Sequence, residues 1–389
     1  MPSSFETLLV ELRERLRTNG YDGDALRQYL GAQSVDDIGV LNHAVASARI
    51  AGEPSRTATL LRLFFLELAE PAAAVQRALG APLVQQLSAA RLLASNRGEM
   101  RARLRVDPLE RQYFLADLRF AKSARSTLGL PPGDEVYPAS SDSLLLRNAA
   151  LFPQGGSLLD LCTGSGVQGL QQASRAQRVV AVDVNARAAA MAGHNAAFNQ
   201  ATNVEVRRGD LYSAVATQQF DAILANPPFV VSPYDDAPSY HAGGPRGDRV
   251  LRRVLAGLGR HLRPNGRAFA VAHVGLRREQ ELESLAQSWF RSFPGRAAVV
   301  LVEQGTALDL AAAQGLFAWR RGAASYEREI AHWLGYLEQH RIRFVALILI
   351  AAERRGRRHV EVIDARPRIL PLPMTPAPEQ RIARWLDAA

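Results

Sequence analysis

Four consecutive residues, Asn226-Pro227-Pro228-Phe229, carry the most specific chemical signal in the chain. The asparagine side-chain oxygen and the Pro227 carbonyl can each accept one N–H bond from a planar –NH2 group. Pro228 brings no competing N–H, and two prolines in a row hold both acceptors in place before a ligand arrives. A conjugated amine is a weak nucleophile, and acceptors that strengthen as positive charge develops on its nitrogen favour its methylation. Phe229 offers a face on which a flat acceptor stacks. Asn226, Pro227 and Phe229 are therefore the catalytic candidates, with Pro228 and Phe229 also on the acceptor side. A plain turn after a strand is the alternative reading of Asn-Pro-Pro. The motif's place directly after the apolar run Phe220 to Ala225 argues against it.

A second constellation lies upstream, in Leu158-Leu159-Asp160-Leu161-Cys162-Thr163-Gly164-Ser165-Gly166. Gly164 and Gly166 let the backbone pass close to a ligand at the tip of a strand. A dinucleotide fingerprint would place a third glycine where this chain has none; Gly169 comes one position late. Asp160 would repel a phosphate and suits the amino group of a methionine moiety. Asp183 lies 23 residues after Asp160, near the spacing at which a carboxylate accepts ribose hydroxyls. Asp210 ends the next apolar stretch, placed for an adenine amine, with Leu211 beside it. The cofactor-binding candidates are Asp160, Cys162, Thr163, Gly164, Gly166, Asp183, Val184, Asp210, Leu211 and Asn226. Each aspartate alone could merely cap a helix. Three at successive strand ends around a glycine turn point to S-adenosylmethionine, with NAD as the alternative. Cys162 has no base near it in sequence and reads as a small turn residue rather than a nucleophile.

Taken together, Asp160 to Gly166, Asp183, Asp210 and Asn226 to Phe229 resemble class I methyltransferases that modify amino groups. The release-factor glutamine methyltransferases and the nucleobase amino-methyltransferases are the nearest in pattern. The resemblance covers about 135 to 300 in detail. It implies a Rossmann-like, seven-stranded α/β domain using S-adenosyl-L-methionine. Residues 40 to 350 as a whole also resemble bacterial methyltransferases with a winged-helix-like front, a match that carries no substrate. In related enzymes residues ahead of the first strand cover the cofactor, which brings in Val136-Tyr137-Pro138 and Ser141-Asp142-Ser143. Tyr137 and Asp142 are substrate candidates, as are Tyr240 and His241. The last two belong to a glycine-rich loop from Pro233 to Arg246 that reads as mobile.

These groups need a scaffold, and the hydrophobic periodicity supplies one. Ser157 to Leu161, Val179 to Val182, Val204 to Val206, Asp221 to Ala225 and Ala268 to Ala272 are strand-like. Helical stretches such as Ala186 to Asn199 and Arg249 to Leu262 separate them, the rhythm of a doubly wound parallel sheet. Residues 1–128 read as a helical front domain and 129–389 as the α/β domain, with an insertion around 304–340 and a C-terminal extension. In the front, Leu8, Leu12, Leu16 and Leu60 to Leu68 repeat at helical spacing, and Pro71 suits the first turn of a helix. Val84 to Leu93 reads as another helix, Asn96-Arg97-Gly98 as a turn, and Met100 to Val106 as an exposed strand. A strand pair ending at Tyr113-Phe114-Leu115 completes a winged-helix-like pattern, which serves either as a DNA reader or as a docking platform. The platform is the favoured reading. Trp319-Arg320-Arg321 and Tyr326 in the insertion could shape the acceptor pocket, and the tail from Pro367 to Pro378 reads as surface-wrapping.

The remaining properties narrow the partners. The net charge of +9 suggests attraction to polyanions, although Lys122 is the only lysine and such arginine usage also follows from a GC-rich genome. No apolar run is long enough to span a bilayer, and the first helix is not a secretion signal, so a cytoplasmic location without a membrane partner is expected. One cysteine excludes an internal disulfide and an all-cysteine zinc site, and no metal is expected. A small-molecule or peptide-like acceptor is favoured for the loop and insertion that could enclose it; a nucleobase or a protein glutamine remains open. A regulator that only senses S-adenosylmethionine is the alternative of another class.

Overall fold

Leu8, Leu12 and Leu16 are all buried, so the first helical stripe in the sequence faces a core. The computed structural model describes residues 4–39, 42–120, 135–234, 243–319, 322–366 and 378–387. Its first elements are α1 (Ser4–Thr18), α2 (Gly23–Ala25), α3 (His43–Ile50), α4 (Arg56–Leu60), β1 (Glu70–Pro71), α5 (Ala72–Leu79) and α6 (Ala81–Ala89). Two hairpins follow, β2 (Leu93–Asn96) with β3 (Glu99–Ala102) and β4 (Arg105–Leu109) with β5 (Gln112–Ala116). Then come α7 (Ser141–Ala149), β6 (Ser157–Leu161), α8 (Val167–Gln172), β7 (Arg178–Asp183), α9 (Ala186–Phe198), β8 (Val204–Arg208) and β9 (Phe220–Ala225). The chain continues through α10 (Arg249–His261), β10 (Leu262–Leu276), α11 (Glu281–Trp289), β11 (Arg296–Thr306), α12 (Ala307–Trp319) and α13 (Ala323–Gln339). It closes with β12 (Phe344–Glu353), β13 (His359–Asp364) and α14 (Pro378–Asp387).

Two compact units interleave in sequence. One gathers Met1–Ser141, Thr163–Ala173 and Asp183–Arg208; the other gathers Asp142–Cys162, Ser174–Val182 and Gly209–Ala389. The boundary expected at residue 128 lies outside the described residues.

In the first unit β1, β3 and β2 form a small sheet in that order, with α5 and α6 between β1 and β2 in the chain. Pro71 is the cap residue ahead of α5 rather than its first turn. The helix expected over Val84 to Leu93 ends at Ala89, and Leu93 already belongs to β2. Arg97 and Gly98 both adopt positive φ, which closes the tight turn between β2 and β3. The exposed strand expected over Met100 to Val106 is two strands instead: β3 alternates, whereas every residue of β4 is buried. Arg105 escapes solvent because its guanidinium is satisfied inside. Nε donates to Asp107 Oδ1 at 2.5 Å, Nη1 donates to the Phe65 carbonyl at 2.6 Å, and the Phe65 ring lies 4.0 Å away. Asn195 and Asn199, one turn apart on α9, complete the edge of β5. Their amides bond the backbone of Leu115 and Tyr113 in both directions at 2.7–2.9 Å.

The large sheet has eight strands in the order β13-β11-β12-β10-β9-β6-β7-β8. β7, β6, β9 and β10 pair in parallel, and β12 runs antiparallel to both β10 and β11. This is a Rossmann-like α/β fold, and β13, parallel to β11, extends the expected seven strands by one. The strand order reverses between β6 and β9, the point at which open parallel sheets bind ligands beyond the carboxyl ends. Leu161 lies opposite both Val182 and Ala225. The residues that follow these three in the chain are Cys162, Asp183 and Asn226. The core of the second unit packs β9, β10, β11 and β12 with Leu251, Leu255 and Leu258 of α10. Among the described residues, no helix is long and apolar enough to cross a membrane.

Candidate functional site

β9 is apolar and nearly all buried, so the sheet delivers Asn226 to its carboxyl edge. There the Asn226 side chain meets the first turn of α7. Nδ2 donates to Asp142 Oδ2 at 2.8 Å and to Ser143 Oγ at 3.4 Å. A planar amide with its NH2 end committed has one remaining orientation, with Oδ1 turned away from α7. Phe229, three residues on, stacks on His273 of β10, with ring centroids 4.9 Å apart and planes 11° from parallel. Burial pushes the His273 imidazole below its ordinary value, against the opposing pull of Asp142 and Glu303. The ring therefore stays neutral at neutral pH.

The same unit holds the third expected aspartate. Asp210 forms an exposed ion pair with Arg253 of α10 at 2.7 Å. Leu211 is buried with a positive φ of 51°, and Cys162 at the end of β6 has a φ of 57°. Both are non-glycine residues in a costly backbone region, a pattern concentrated at ligand sites. Asp160 is fully buried near the end of β6.

In the first unit the glycine turn is tied to the second expected aspartate. The Gly164 N–H donates to Asp183 Oδ2 and the Asn185 N–H to Oδ1, both at 2.9 Å. Burial raises the Asp183 carboxyl above its usual range, and the backbone N–H groups pull it back down. The Val184 N–H also bonds this carboxylate, so three backbone donors hold it and one lone pair is left for a further donor. Gly164 has a φ of +56°, and a Cβ added there would meet nothing within 4 Å, so the turn borders open space. Val184 next to Asp183 is 58% exposed. Thr163 accepts the Gly166 N–H at 2.8 Å, and Asn195 donates to the Ser165 carbonyl at 2.8 Å, which fixes the turn from behind. Tyr137 is 40% exposed with the Arg119 guanidinium 5.8 Å from its ring.

The structure thus gathers Asn226, Asp142 and Phe229 in one unit and Gly164, Asp183 and Val184 in the other. Tyr240 and His241, Arg320 and Arg321, the Trp319 side chain and the tail 367–377 lie outside the described residues. Tyr326 packs beside Gly315 between α12 and α13, inside the helical hairpin of the insertion. Of the glycine-rich loop, Gly243 to Asp248 is described and is firmly bonded: the Arg246 carbonyl accepts the Gly275 N–H at 2.7 Å, and the Arg246 side chain pairs with Glu281 at 2.9 Å. Sequence reading missed His273, Arg253 and Asn195. Their partners lie at least twenty residues away in the chain, and only Asn195, a polar residue at helical spacing from the apolar Ala188, Met191, Ala192 and Phe198, left a pattern to notice.

The sequence profile of the methyltransferase small domain matches residues 139–291, and that of a domain of unknown function matches 18–103. A protein of Methanocaldococcus jannaschii assigned as a protein N5-glutamine methyltransferase is 30% identical over 138 residues, 34% of this chain and 69% of the relative. The chain belongs to the class I S-adenosylmethionine-dependent methyltransferases. A ribosomal protein uL3 glutamine methyltransferase of Xanthomonas campestris pv. campestris is 26% identical over 231 residues, 55% of this methyltransferase and 71% of that one. A solved 16S rRNA methyltransferase of T. thermophilus covers 74% of this chain and 64% of its own, at 16% identity and a TM-score of 0.37. S-adenosylmethionine is the methyltransferase's cofactor, and the residues at hand fit it: open space over Gly164, a carboxylate at Asp183 with room for one more donor and an exposed apolar side chain at Val184.

Proposed function

We propose that this methyltransferase transfers its methyl group to a planar amide nitrogen, the side-chain amide of a glutamine in a protein. The observation that carries the reading is the Asn226 amide, held by Asp142 with its oxygen turned away from α7. Asn226 Oδ1 and the Pro227 carbonyl then accept the two N–H bonds of the substrate –NH2. Phe229, backed by His273, lies against the amide plane. S-adenosylmethionine supplies an electrophilic methyl group on a sulfonium sulfur. In the first unit Asp183 and the turn at Gly164 would hold the ribose, with the exposed Val184 beside them for the adenine; in the second, Asp210, braced by Arg253, would take an exocyclic amine. As the nitrogen gains positive charge, the two acceptors strengthen their bonds to it. The nitrogen loses one proton to solvent after transfer, so the chain needs no strong base. The names of both relatives, glutamine methyltransferases of proteins, support this choice over a free metabolite.

The front unit then serves as a winged-helix-like docking platform for the protein substrate. α6 occupies the place of a DNA-recognition helix, yet its exposed residues are Ala81, Pro82, Gln85, Gln86 and Ala89, none of them cationic. A DNA-reading regulator would also have no use for an oriented acceptor clamp.

The test is methyl-labelled S-adenosylmethionine with purified ribosomal protein uL3 or a release factor, followed by digestion and mass spectrometry. Label on a glutamine side chain is expected. Unmodified glutamines with label appearing instead in added ribosomal RNA would overturn the reading.

A further inference from the structure

The segment from Gly243 to Asp248 lies against the backbone of the acceptor motif more tightly than any side chain allows. A Cβ built on Gly243 would stand 2.6 Å from the Phe229 carbonyl carbon and 2.7 Å from its Cα. Gly247 has a φ of +80°, and a Cβ there would collide with the Phe229 carbonyl oxygen and stand 2.5 Å from the His273 carbonyl oxygen. Both glycines are buried. The segment is also bonded at several points. The Arg249 N–H donates to the Gly243 carbonyl at 3.0 Å, the Gly275 N–H to the Arg246 carbonyl at 2.7 Å, and Arg246 Nε to the Gly275 carbonyl at 3.2 Å. Arg246 further pairs with Glu281, and Trp289 donates to Asp248 at 3.3 Å.

We propose that Gly243 and Gly247 are positioning residues of the transfer site: as a side-chain-free wedge between the Phe229 backbone and the end of β10, they clamp the Phe229 ring on His273 and fix the acceptor face. The reasoning is geometric. Phe229 is held on its ring side by His273 and on its backbone side by the glycines, and both supports are anchored on β10. A packed core answers an added methyl group by displacing its neighbours. At both positions the Phe229 backbone, two residues after Pro227, is among the neighbours that must shift, together with the Gly247 Cα or the His273 carbonyl. A misplacement of about 1 Å in a positioned reactant costs up to about 10² in rate. The role rests on the reading of Asn226 to Phe229 as the acceptor site.

Gly243→Ala, Gly247→Ala and Arg246→Gln test it, with Gly335→Ala on α13 as the control, where an added Cβ meets nothing. Gly243→Ala isolates close approach from backbone strain, because only Gly247 has a positive φ. Arg246→Gln loosens the segment without adding bulk and keeps the test open if an alanine variant does not fold. The charges that face His273, Asp142 and Glu303, are untouched in all of them.

Three readouts are taken on the full chain: the His273 titration by NMR, S-adenosylmethionine affinity by calorimetry, and methyl transfer to uL3. The wedge predicts that His273 titrates closer to its ordinary value as the stack opens. It also predicts that kcat falls at least about tenfold in the glycine variants, and that cofactor affinity stays within about twofold of wild type. Folded variants with the wild-type His273 titration and wild-type kcat would overturn the proposal. The NMR readout needs no acceptor. If wild-type enzyme leaves uL3 unmodified, the glutamine reading is in question, while the His273 titration still decides the wedge.

Discussion

An asparagine amide gripped at one end by a carboxylate can present only the other end, and on this constraint rests the proposal that Asn226 is an acceptor clamp. Asp142→Ala removes the grip. It should lower kcat by about tenfold or more, the scale of a lost orienting hydrogen bond of about 1.5–3 kcal/mol, while calorimetry finds cofactor affinity unchanged. Full activity would mean that Asn226 keeps its orientation without Asp142. Asp183→Ala should do the reverse and weaken S-adenosylmethionine binding by roughly 1.5–3 kcal/mol, because a charged acceptor is lost. Unchanged affinity would exclude Asp183 as the ribose acceptor. At this scale the sequence was legible where chemistry is contiguous. Asn226 to Phe229 can be read from four letters. Asp142 was visible as a candidate, but its role was not, since its partner lies 84 positions away. His273 was invisible for the same reason: nothing beside it in sequence shows that Phe229 will stack on it.

Elements in this fold are held by buried polar groups as much as by apolar faces. β4 is the clearest case. Its alternation with β3 suggested one exposed strand, yet Arg105 is fully buried against Asp107 and the Phe65 ring and carbonyl. Periodicity treats arginine as solvent-facing and cannot foresee a partner set drawn from another element. α9 shows the same habit through Asn195 and Asn199. It also carries His194, whose ring meets Phe5 of α1 edge-on at 4.7 Å. Burial lowers the His194 pKa, with Glu6 pulling the other way. Because the folded pKa lies below the unfolded one, the unfolded chain binds more protons there, so stability is full above about pH 6.5 and falls as the pH drops towards the folded pKa. Thermal unfolding from about pH 7 to 5 should therefore fall more steeply in wild type than in His194→Gln. Equal slopes would show that the α1–α9 contact does not sense this proton.

For the whole molecule, the parallel strands were legible because β6, β7 and β9 are compact, mostly apolar runs, whereas the switch point between β6 and β9 emerges only from the pairing order. The eighth strand was not legible as a member of the sheet, since pairing with β11 across an intervening strand and helical hairpin leaves no local trace. The charge of +9 is a property of this same scale. With no cation on the exposed face of α6, binding of the full chain to duplex DNA should be weak at physiological salt, indifferent to sequence and lost on modest salt increase. Tight, sequence-selective binding would favour the regulator instead. The central claim, a nitrogen methyltransferase whose acceptor clamp is Asn226, is tested most directly by one comparison: single-turnover methyl transfer by wild type and Asn226→Ala, with the product's new methyl placed by NMR. The account predicts a methyl group on an amide nitrogen and a rate lower by about 10² or more in the variant, at unchanged cofactor affinity. A methyl group on oxygen or carbon, or an Asn226→Ala enzyme as fast as wild type, would contradict it.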